Sequence, residues 1–449
     1  MGIMRPVAFV RQEVGGATLH GIAPLLRLLA FHWRSTLRRT SFIAITGSLG
    51  KTTAKECLGA ILSARGPTFV SRGNQNAGHL LLLNLLRVRP WHRYAVIETA
   101  AGRPGALLEA SRLVRPHLAL IISVAQAHTS TLGNLDSIAR EKLSLLDHLA
   151  PGATVIVNGA EPRLREAGTG RAFRVLRFAV DTQLSGPGQS AGFHPVVEAS
   201  APYRLDMVAE DISAHWPECL RFTASTAEGR VGVATRLVGA HWAPAVTAAL
   251  LAAQVLRVPL DEAAAALTAV NPHPARMQPI SIPPGITVLR DDYNGTPDSW
   301  DAAFRVMSEA RARRRLLVAG DYSDHRLGPR QRLQRMGLSA ARWADLAAFV
   351  GPNSHYAYKG ALAGGMAPDA VWAGASLQEA AAWLKARFQP GDLMLLKGRI
   401  HEHLARLLFA LVGPVGCHQQ ICHRRYLCDE CWNLGVPTRH FERPVELGT

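Results

Sequence analysis

The 449-residue chain is poor in lysine, in cysteine and in long apolar runs. It has no run of about eighteen apolar residues, which excludes a typical membrane-spanning helix. The first residues lack the apolar core and the small-residue cleavage site of a signal peptide. Apolar residues still make up 48% and charged residues 19% of the chain, as in globular proteins. We therefore expect a cytoplasmic protein without a membrane span.

Lysine is rare although the chain is basic. There are 50 Lys and Arg residues against 34 Asp and Glu, a net charge of +16, and only six of the 50 are lysine. Such a chain binds nucleic acid or an anionic surface, or it has an arginine-rich background and anionic substrates. No basic run exceeds Arg313–Arg315, so we expect no nucleic-acid partner. We interpret the basic, amphipathic segment 22–40 as a packed helix with its arginines in water, and membrane-surface binding is the alternative.

Cysteine is concentrated near the carboxyl terminus, and its scarcity elsewhere excludes a disulfide framework spread through the chain. Zinc prefers a tetrahedral set of soft ligands, which four thiolates supply. We predict a structural zinc site formed by Cys417, Cys422, Cys428 and Cys431. A redox pair, an iron–sulfur cluster and free thiols remain open as alternatives.

Short apolar runs alternate with helix-like stretches in two parts of the chain. In the first part, the predicted strands lie at 42–46, 94–98, 118–123 and 154–158, and the predicted helices at 51–63, 105–113 and 135–149. This alternation predicts a doubly wound α/β domain with a parallel sheet. Residues 184–235 are richer in proline, serine and glycine, and we predict a β-rich portion there. A proline cluster at 271–284 marks a boundary, after which a second, Rossmann-like α/β pattern begins.

Four regions follow from these patterns and from the cysteine cluster. A chain of this length is expected to contain two to three domains at about 100–200 residues each. The predicted regions are a short helical amino-terminal segment (1–40), a central α/β domain (41–272), a carboxyl-terminal α/β domain (273–412) and a cysteine-rich tail (413–449).

The sharpest motif joins the first predicted strand to the first predicted helix. Glycines let backbone N–H groups approach phosphate oxygens, and the start of a helix adds partial positive charge. Lys51 would reach the β- and γ-phosphates of a nucleotide, and Thr52 would offer its hydroxyl to Mg²⁺. The strict pattern has glycine where Ile45 stands, so the loop is a variant. The nucleotide-binding candidates in it are Gly47, Ser48, Gly50, Lys51, Thr52 and Thr53.

Further landmarks follow the loop in order. Glu98 ends the next apolar strand, where a carboxylate can face the Mg²⁺ of the loop, because strand ends line the crevice of open α/β sheets. His128 stands in Ala-Gln-Ala-His, and Lys142 ends Ile-Ala-Arg-Glu-Lys. Together with the loop and with Gly-Asn-Gln-Asn at 73–76, this order resembles the Mur ligase family, the ATP-dependent amide ligases of peptidoglycan synthesis and their relatives.

The likeness extends from about residue 41 to residue 410. Segment 274–278 resembles the linker motif of the family with its phosphate-contacting Arg276. Segment 291–299 resembles the nucleotide motif of the second domain, and Leu396-Lys397-Gly398 fits a later landmark. The nearest branch is the D-alanyl-D-alanine-adding ligase.

The resemblance implies a carboxylate–amine ligase that uses ATP and Mg²⁺, forms an amide through an acyl phosphate, and releases ADP and phosphate. Its implied catalytic residues are Lys51, His128, Lys142 and Arg276. Its implied nucleotide contacts beyond the loop are Arg276, Asp291 or Asp292, and Asn294, and its implied substrate contact is Lys397. The implied magnesium ligands are Thr52, Glu98, His128 and Lys142. In the family the lysine that matches Lys142 is often carbamylated, which requires a neutral amine.

Positions that face the substrate in the family differ here. The likeness begins without the UDP-sugar domain of the cell-wall enzymes, and Ser123 stands where the family has asparagine. Trp242 and Ala245 replace the asparagines that follow Gly-x-His in the family, which changes its usual adenine contact. We therefore expect small-molecule or peptide substrates that differ from those of the cell-wall enzymes. The alternatives are a nucleic-acid-dependent NTPase with a zinc module and a non-catalytic, nucleotide-binding relative.

Overall fold

The strands and helices form two α/β units that follow one another along the chain. The computed structural model describes residues 23–73, 75–127, 129–165, 167–168, 170–181, 204–323, 325–417, 419, 422 and 427–434. In these ranges the strands are β1 (Ser41–Thr46), β2 (Thr68–Val70), β3 (Tyr94–Glu98), β4 (Leu118–Ile121), β5 (Thr154–Asn158), β6 (Arg174–Val180), β7 (Met207–Ser213), β8 (Arg221–Thr226), β9 (Gly229–Ala234), β10 (Gln278–Ile282), β11 (Ile286–Asp291), β12 (Arg314–Ala319), β13 (Leu346–Val350), β14 (Val371–Gly374) and β15 (Asp392–Lys397).

The helices alternate with these strands, as the sequence predicts. In the described ranges they are α1 (Ala23–Thr36), α2 (Lys51–Ser63), α3 (Gly78–Arg87), α4 (Ala106–Val114), α5 (Thr129–Leu132), α6 (Leu135–Leu143), α7 (Ala243–Val255), α8 (Leu260–Leu267), α9 (Pro297–Glu309), α10 (Pro329–Ala340), α11 (Ser354–Ala363), α12 (Leu377–Lys385) and α13 (Ala405–Val412). None of the described helices is long and apolar enough to cross a membrane.

The first sheet has the order β2-β3-β1-β4-β5-β6-β7-β8-β9. Its strands pair in parallel up to β7, and β8 and β9 then add antiparallel. Strand β1 is apolar on both faces because helices cover both faces of the sheet. Phe42 and Ala44 pack with α3 and α4, whereas Ile43 and Ile45 pack with α2 and α7.

The second sheet has the order β10-β11-β15-β12-β13-β14. All its pairs are parallel except that of the edge strand β10 with β11. This topology places the ends of β11 and β15 next to each other, with Asp291 opposite Lys397. Because ligands bind outside the carboxyl ends of such strands, this pair lies near the expected site.

The predicted α/β class is confirmed, and several details differ. The β-rich portion does not form a separate layer: β7, β8 and β9 extend the first sheet and make it mixed. Strand β10 lies inside the proline cluster that was predicted to be a linker. Pro279 is tolerated there because an edge strand leaves one side of its backbone without a partner. The first part of the predicted β-rich portion, up to residue 203, lies outside the described residues, and the four region boundaries stay predictions.

Candidate functional site

A cleft of about 270 Å³ lies between the phosphate loop and the end of β11. Both halves of the chain contribute to its walls. The central part supplies residues of the loop together with Asn76, Glu98, Ala100, His241 and Trp242, and the carboxyl-terminal part supplies Arg276, Asp291, Tyr293, Asn294, Ser299 and Ala302. Near the cleft, the backbone N–H of Gln126 donates to the Asp298 carboxylate at 2.9 Å, which links the two parts. The cleft therefore brings together motifs that are more than two hundred residues apart.

The phosphate loop has the backbone shape that its glycines permit. Gly50 precedes α2 with a φ of 81°, a left-handed conformation that side chains rarely adopt. A Cβ on Gly50 would lie 3.1 Å from the Cβ of Ala245, so the neighbouring α7 also requires glycine here. The first N–H groups of α2 have no partners of their own within the helix, and they begin at the loop, where an anion would be stabilised.

Ser48 and Ser123 fix the loop to the segment after β4. The Ser48 hydroxyl donates to the Ala125 carbonyl at 2.9 Å, and the Ser48 N–H donates to the Ser123 carbonyl at 3.0 Å. The Ser123 hydroxyl accepts from the Leu49 N–H and donates to the Leu49 carbonyl. Ser123 stands where the family has asparagine, and here its short side chain holds the loop in place.

Glu98 lies beside Thr52 at the cleft, as the sequence predicts. The Thr52 hydroxyl donates to the buried Glu98 carboxylate at 3.0 Å, and the Asn76 amide donates to its other oxygen at 2.8 Å. A hydroxyl next to a carboxylate is a set of hard oxygen ligands of the kind that Mg²⁺ prefers. These residues therefore fit a magnesium ion.

Lys55 also lies beside the Glu98 carboxylate, and it was not among the predicted site residues. Its side chain is fully buried, and its amine donates to the carbonyls of Ser71 and Gly73 at 2.9 Å each. The same amine lies 2.9 Å from the Glu56 carboxylate and 3.9 Å from that of Glu98. Lys55 thus joins α2 to the segment that leads to Asn76. Its position one turn after Lys51 on a helix that packs against a sheet was the available signal.

Two lysines of the predicted set lie near each other behind the loop. The Lys51 amine donates to the Gly47 carbonyl at 2.7 Å, and burial lowers its pKa while the Glu98 carboxylate opposes that shift. Lys142 is almost fully buried on α6. Burial, with a contribution from the charge of Lys51, lowers the pKa of Lys142 to about 7. His128, the other predicted ligand, lies outside the described residues.

On the opposite wall, Arg276 and Asp291 face the cleft. The Arg276 guanidinium lies 4.6 Å from the centre of the Tyr293 ring, which orients it by cation–π attraction. Of the two aspartates predicted as alternative nucleotide contacts, Asp291 lines the cleft. Asp292 is buried and pairs with Arg290 at 2.7 Å. Asn294 also lines the cleft.

Lys397 lies behind the cleft wall rather than on it. The side chain is fully buried, and its amine contacts the Asp291 carboxylate and the Asn294 carbonyl. Burial lowers the pKa of Lys397, and the Asp291 charge opposes that shift. The structure therefore places this predicted substrate contact as a support for Asp291 and Asn294, and its contact with substrate stays a prediction.

His241 carries a polar atom that the protein leaves without a partner. Its ring lines the cleft and its buried Nδ1 has no hydrogen bond. Burial, with a contribution from the Lys397 charge, lowers the pKa of His241 to about 3, so the ring is neutral at pH 7. A buried polar atom without a partner is costly unless a bound group satisfies it. This Nδ1 packs against Gly239, where a Cβ would lie only 2.6 Å from it, so the histidine ring requires glycine at that position.

The cysteine tail packs away from this cleft. Cys428 and Leu434 form a small core with Ala405 and Phe409 of α13. Asp429 of the tail pairs with the buried Arg290 at 2.6 Å. The tail thus docks on the second sheet behind the nucleotide motif.

The described residues do not show the zinc site that is predicted for this tail. Its four cysteines and His403 do line one cavity of about 10 Å³, and burial raises the pKa of the Cys428 thiol. However, the described residues contain no group of three or more His, Cys, Asp or Glu that is placed to hold a metal ion. None of the four forms a disulfide bond in the described structure.

Comparisons with known proteins agree with this arrangement. The model of the Mur ligase middle domain matches residues 45–253, and that of the Mur ligase glutamate ligase domain matches residues 275–400. The chain is 27% identical over 422 residues to the UDP-N-acetylmuramoyl-tripeptide–D-alanyl-D-alanine ligase of Mycobacterium leprae, covering 89% of this chain and 78% of that enzyme. With the Escherichia coli enzyme of the same name, it is 30% identical over 319 residues, covering 70% and 65%.

Solved structures give the same result. MurF from Acinetobacter baumannii superposes with a TM-score of 0.74 at 28% identity, covering 86% of this chain and 79% of that one. The MurF ligase of Thermotoga maritima in complex with ADP shares the fold, with a TM-score of 0.71 at 19% identity, covering 87% and 83%. Because the two domain models match in order over the two sheets that form the cleft, the chain belongs to the Mur ligase family of ATP-dependent, amide-forming ligases.

Proposed function

We propose that this enzyme activates a carboxylate as an acyl phosphate in the cleft and joins it to an amine. The observation that carries the proposal is the cleft itself, in which Lys51, Thr52 and Glu98 face Arg276 and Asp291. Phosphoryl transfer needs positioning and positive charge rather than covalent chemistry from the protein. Two cations on opposite walls supply that charge at one place.

The proposed reaction has two balanced steps. An oxygen of the substrate carboxylate attacks the γ-phosphorus of ATP, and the bond to the bridging oxygen breaks to leave ADP. The nitrogen of a neutral amine then attacks the acyl carbon, phosphate leaves, and the amine loses a proton. Lys51 and Arg276 would offset the charge of the transferring phosphoryl group. Magnesium, when held by Thr52 and Glu98, would supply further charge at the phosphates.

Lys142 is proposed as a second ligand group on the loop side. Its pKa of about 7 leaves a large share of the amine neutral near pH 7. A neutral amine can react with CO₂ to give a carbamate, which exchanges a positive charge for a negative one. Arginine has no equivalent reaction, which gives a physical reason for lysine in a chain that otherwise prefers arginine. We propose that His128 and a carbamylated Lys142 share this role.

The substrates are proposed to differ from those in the names of the relatives. Those names specify UDP-N-acetylmuramoyl-tripeptide and D-alanyl-D-alanine. Here the cleft is lined by Ala100, where the family pattern has glycine after the glutamate that matches Glu98, and by Trp242, where the family has an asparagine of its adenine contact. An indole in place of a small amide removes hydrogen-bonding groups and adds apolar surface. We propose a peptide-like or small organic acid and an amino-acid-like amine, joined in the cytoplasm, where ATP is available.

The test is ADP release by the full chain with Mg²⁺ and ATP against a panel of acids and amines that includes the substrate pair of the relatives. We expect ADP only when an acid and an amine are both present. Hydroxylamine should replace the amine and trap the acyl phosphate as a hydroxamate. Full-rate ADP release without any acid would contradict the ligase proposal. Use of the relatives' substrate pair at full rate would contradict only the proposed difference in substrates.

A structural zinc ion in the tail stays a separate proposal. What supports it is that Cys417, Cys422, Cys428 and Cys431 line one cavity. Metal analysis of the purified chain after mild chelation tests it. One zinc per chain is expected, and absence of bound metal together with four titratable tail thiols would remove the proposal.

A further inference from the structure

Helix α1 is apolar on two opposite sides. Its inner side packs on the central domain through the buried Ala30, and Leu37, just after the end of the helix, is also buried. Arg34 fastens it there, because its guanidinium donates to the carbonyls of Val114 and Arg115 at 2.6 and 2.9 Å and lies 3.8 Å from the centre of the Phe42 ring. The helix is thus packed on the domain, as the sequence predicts, but the expectation that its arginines lie in water is wrong for Arg34, which is buried.

The outer side of α1 exposes large apolar side chains. In the described part of the chain, six large hydrophobic residues are exposed, and four of them belong to this helix. They are Leu25, Leu28, Leu29 and Phe31, with 57%, 55%, 49% and 43% of their surface accessible. The three leucines follow the spacing of one helix face. Contiguous exposed apolar surface of this kind marks an interaction site rather than a random scatter.

Trp91, the most exposed of the six at 68%, lies near the carboxyl end of α1. It lies in the turn after α3, which contacts the carboxyl-terminal half of α1. The Trp33 indole donates to the Val88 carbonyl at 2.9 Å, and the Thr40 hydroxyl donates to the His92 carbonyl at 2.7 Å. We call the outer side of α1 together with Trp91 the apolar ridge.

Arginines outnumber carboxylates around the apolar ridge. Segments 23–41 and 87–93 contain seven arginines and no Asp or Glu. Five of these arginines are exposed: Arg27, Arg38, Arg39, Arg89 and Arg93. The nearest paired acid is Glu109, which contacts Arg27 and Arg103 at its own edge of the domain. A partner that covers this surface must offer an apolar interior and a negatively charged boundary.

We propose that the apolar ridge docks the enzyme on an anionic lipid surface. Leucine, phenylalanine and tryptophan enter the boundary between headgroups and acyl chains, while arginines contact anionic headgroups. The end of α1 leads into the start of β1, and Trp91 precedes the start of β3. The cleft lies at the opposite, carboxyl ends of these strands. The end of α1 and Trp91 therefore lie at the other end of these strands from the cleft.

The experiment is co-sedimentation of the full chain with vesicles of phosphatidylcholine alone and of phosphatidylcholine mixed with phosphatidylglycerol. We expect binding to the mixed vesicles that falls with added salt, and weak binding to the neutral ones. Replacement of two ridge residues, Leu28→Ser with Leu29→Ser, should weaken binding about tenfold or more, because both side chains are lost from the buried area. Leu338→Ser, at an exposed leucine on α10, is the matched control and should leave binding unchanged.

A second variant separates charge from apolar contact. Arg38→Gln with Arg39→Gln should remove most of the difference between the two vesicle types. Thermal denaturation of every variant confirms that it is folded, which these exposed positions favour. Absence of binding to mixed vesicles would overturn the proposal, as would equal loss in the Leu338 control. A dimer that light scattering shows to dissociate only in the Leu28/Leu29 variant would assign the ridge to a second copy of the chain and also overturn it.

Discussion

The two walls of the cleft hold their positive charge differently. On the phosphate-loop wall, the Lys51 amine is held by neutral carbonyl groups of its own loop. On the opposite side, Lys397 is fully buried against the Asp291 carboxylate. A charge held by carbonyls remains available to an anionic ligand, whereas the loss of one partner from a buried ion pair leaves an uncompensated charge and destabilises the fold. We therefore expect Lys51 to act on the phosphoryl group, and Lys397 to stabilise the wall behind β11 and β15.

The largest expected effect is on turnover, which should depend on Lys51. Lys51→Ala should lower turnover by about a hundredfold or more, since it removes a charge that acts on the transferring phosphoryl group. The urea midpoint should change little, because the two loop carbonyls that it bonds lie at the cleft and can bind water. ADP release and urea denaturation measure the two quantities. A variant with normal turnover would place Lys51 outside the chemistry.

The next effect should appear in stability. Lys397→Met should lower the free energy of unfolding by about 3 to 5 kcal/mol, because Asp291 is left buried without its partner. Lys359→Met, at an exposed lysine of α11, is the matched control, with an expected change within about 0.5 kcal/mol. Urea denaturation of both variants gives the comparison. If Lys397→Met kept full stability and lost only substrate affinity, the support role would be wrong and the substrate contact correct.

The sequence predicts a contact less well when the two residues lie far apart along the chain. The phosphate loop is contiguous, so its residues, the strand before it and the helix after it were predicted from local pattern alone. Glu98 was predicted because strand ends in a parallel sheet share one edge. The burial of Lys397 and its pairing with Asp291 were missed, since they depend on the register of β11 with β15. The contact of Arg290 with Asp429 joins residues 139 positions apart, and no local pattern encodes it.

On the loop wall, Lys142 should change how the free energy of unfolding depends on pH, an effect of intermediate size. Its pKa in the folded protein is lowered from 10.5 to about 7, so between these values the unfolded chain binds more protons than the folded one. Stability therefore rises with pH across that window. From pH 7 to pH 9, the wild type should gain about 2 kcal/mol in free energy of unfolding relative to Lys142→Met. Urea denaturation of both proteins at a series of pH values measures this difference.

Equal pH dependence in the two proteins would mean that Lys142 does not titrate as a free amine. Mass spectrometry under a bicarbonate buffer at mildly alkaline pH then distinguishes a carbamate, which adds CO₂ to the lysine, from an unmodified amine with an ordinary pKa. A carbamate would strengthen the assignment of chemistry to the loop wall, whereas an ordinary amine would weaken it.

The smallest expected effect concerns the contact between the tail and the wall behind β11. Arg290 lies fully buried between Asp292 and Asp429, and Asp429 is partly exposed. Asp429→Asn keeps a hydrogen-bonding group and removes one charge, so we expect a loss of about 1 kcal/mol in free energy of unfolding. Glu218→Gln is the control, since its pair with Arg311 is exposed on both sides and should contribute less than about 0.5 kcal/mol. If the two substitutions had equal effects, the contact between the tail and Arg290 would not stabilise the nucleotide motif.

A larger loss of stability for Asp429→Asn, with unchanged turnover, would show that the tail stabilises the same wall as the pair of Lys397 and Asp291.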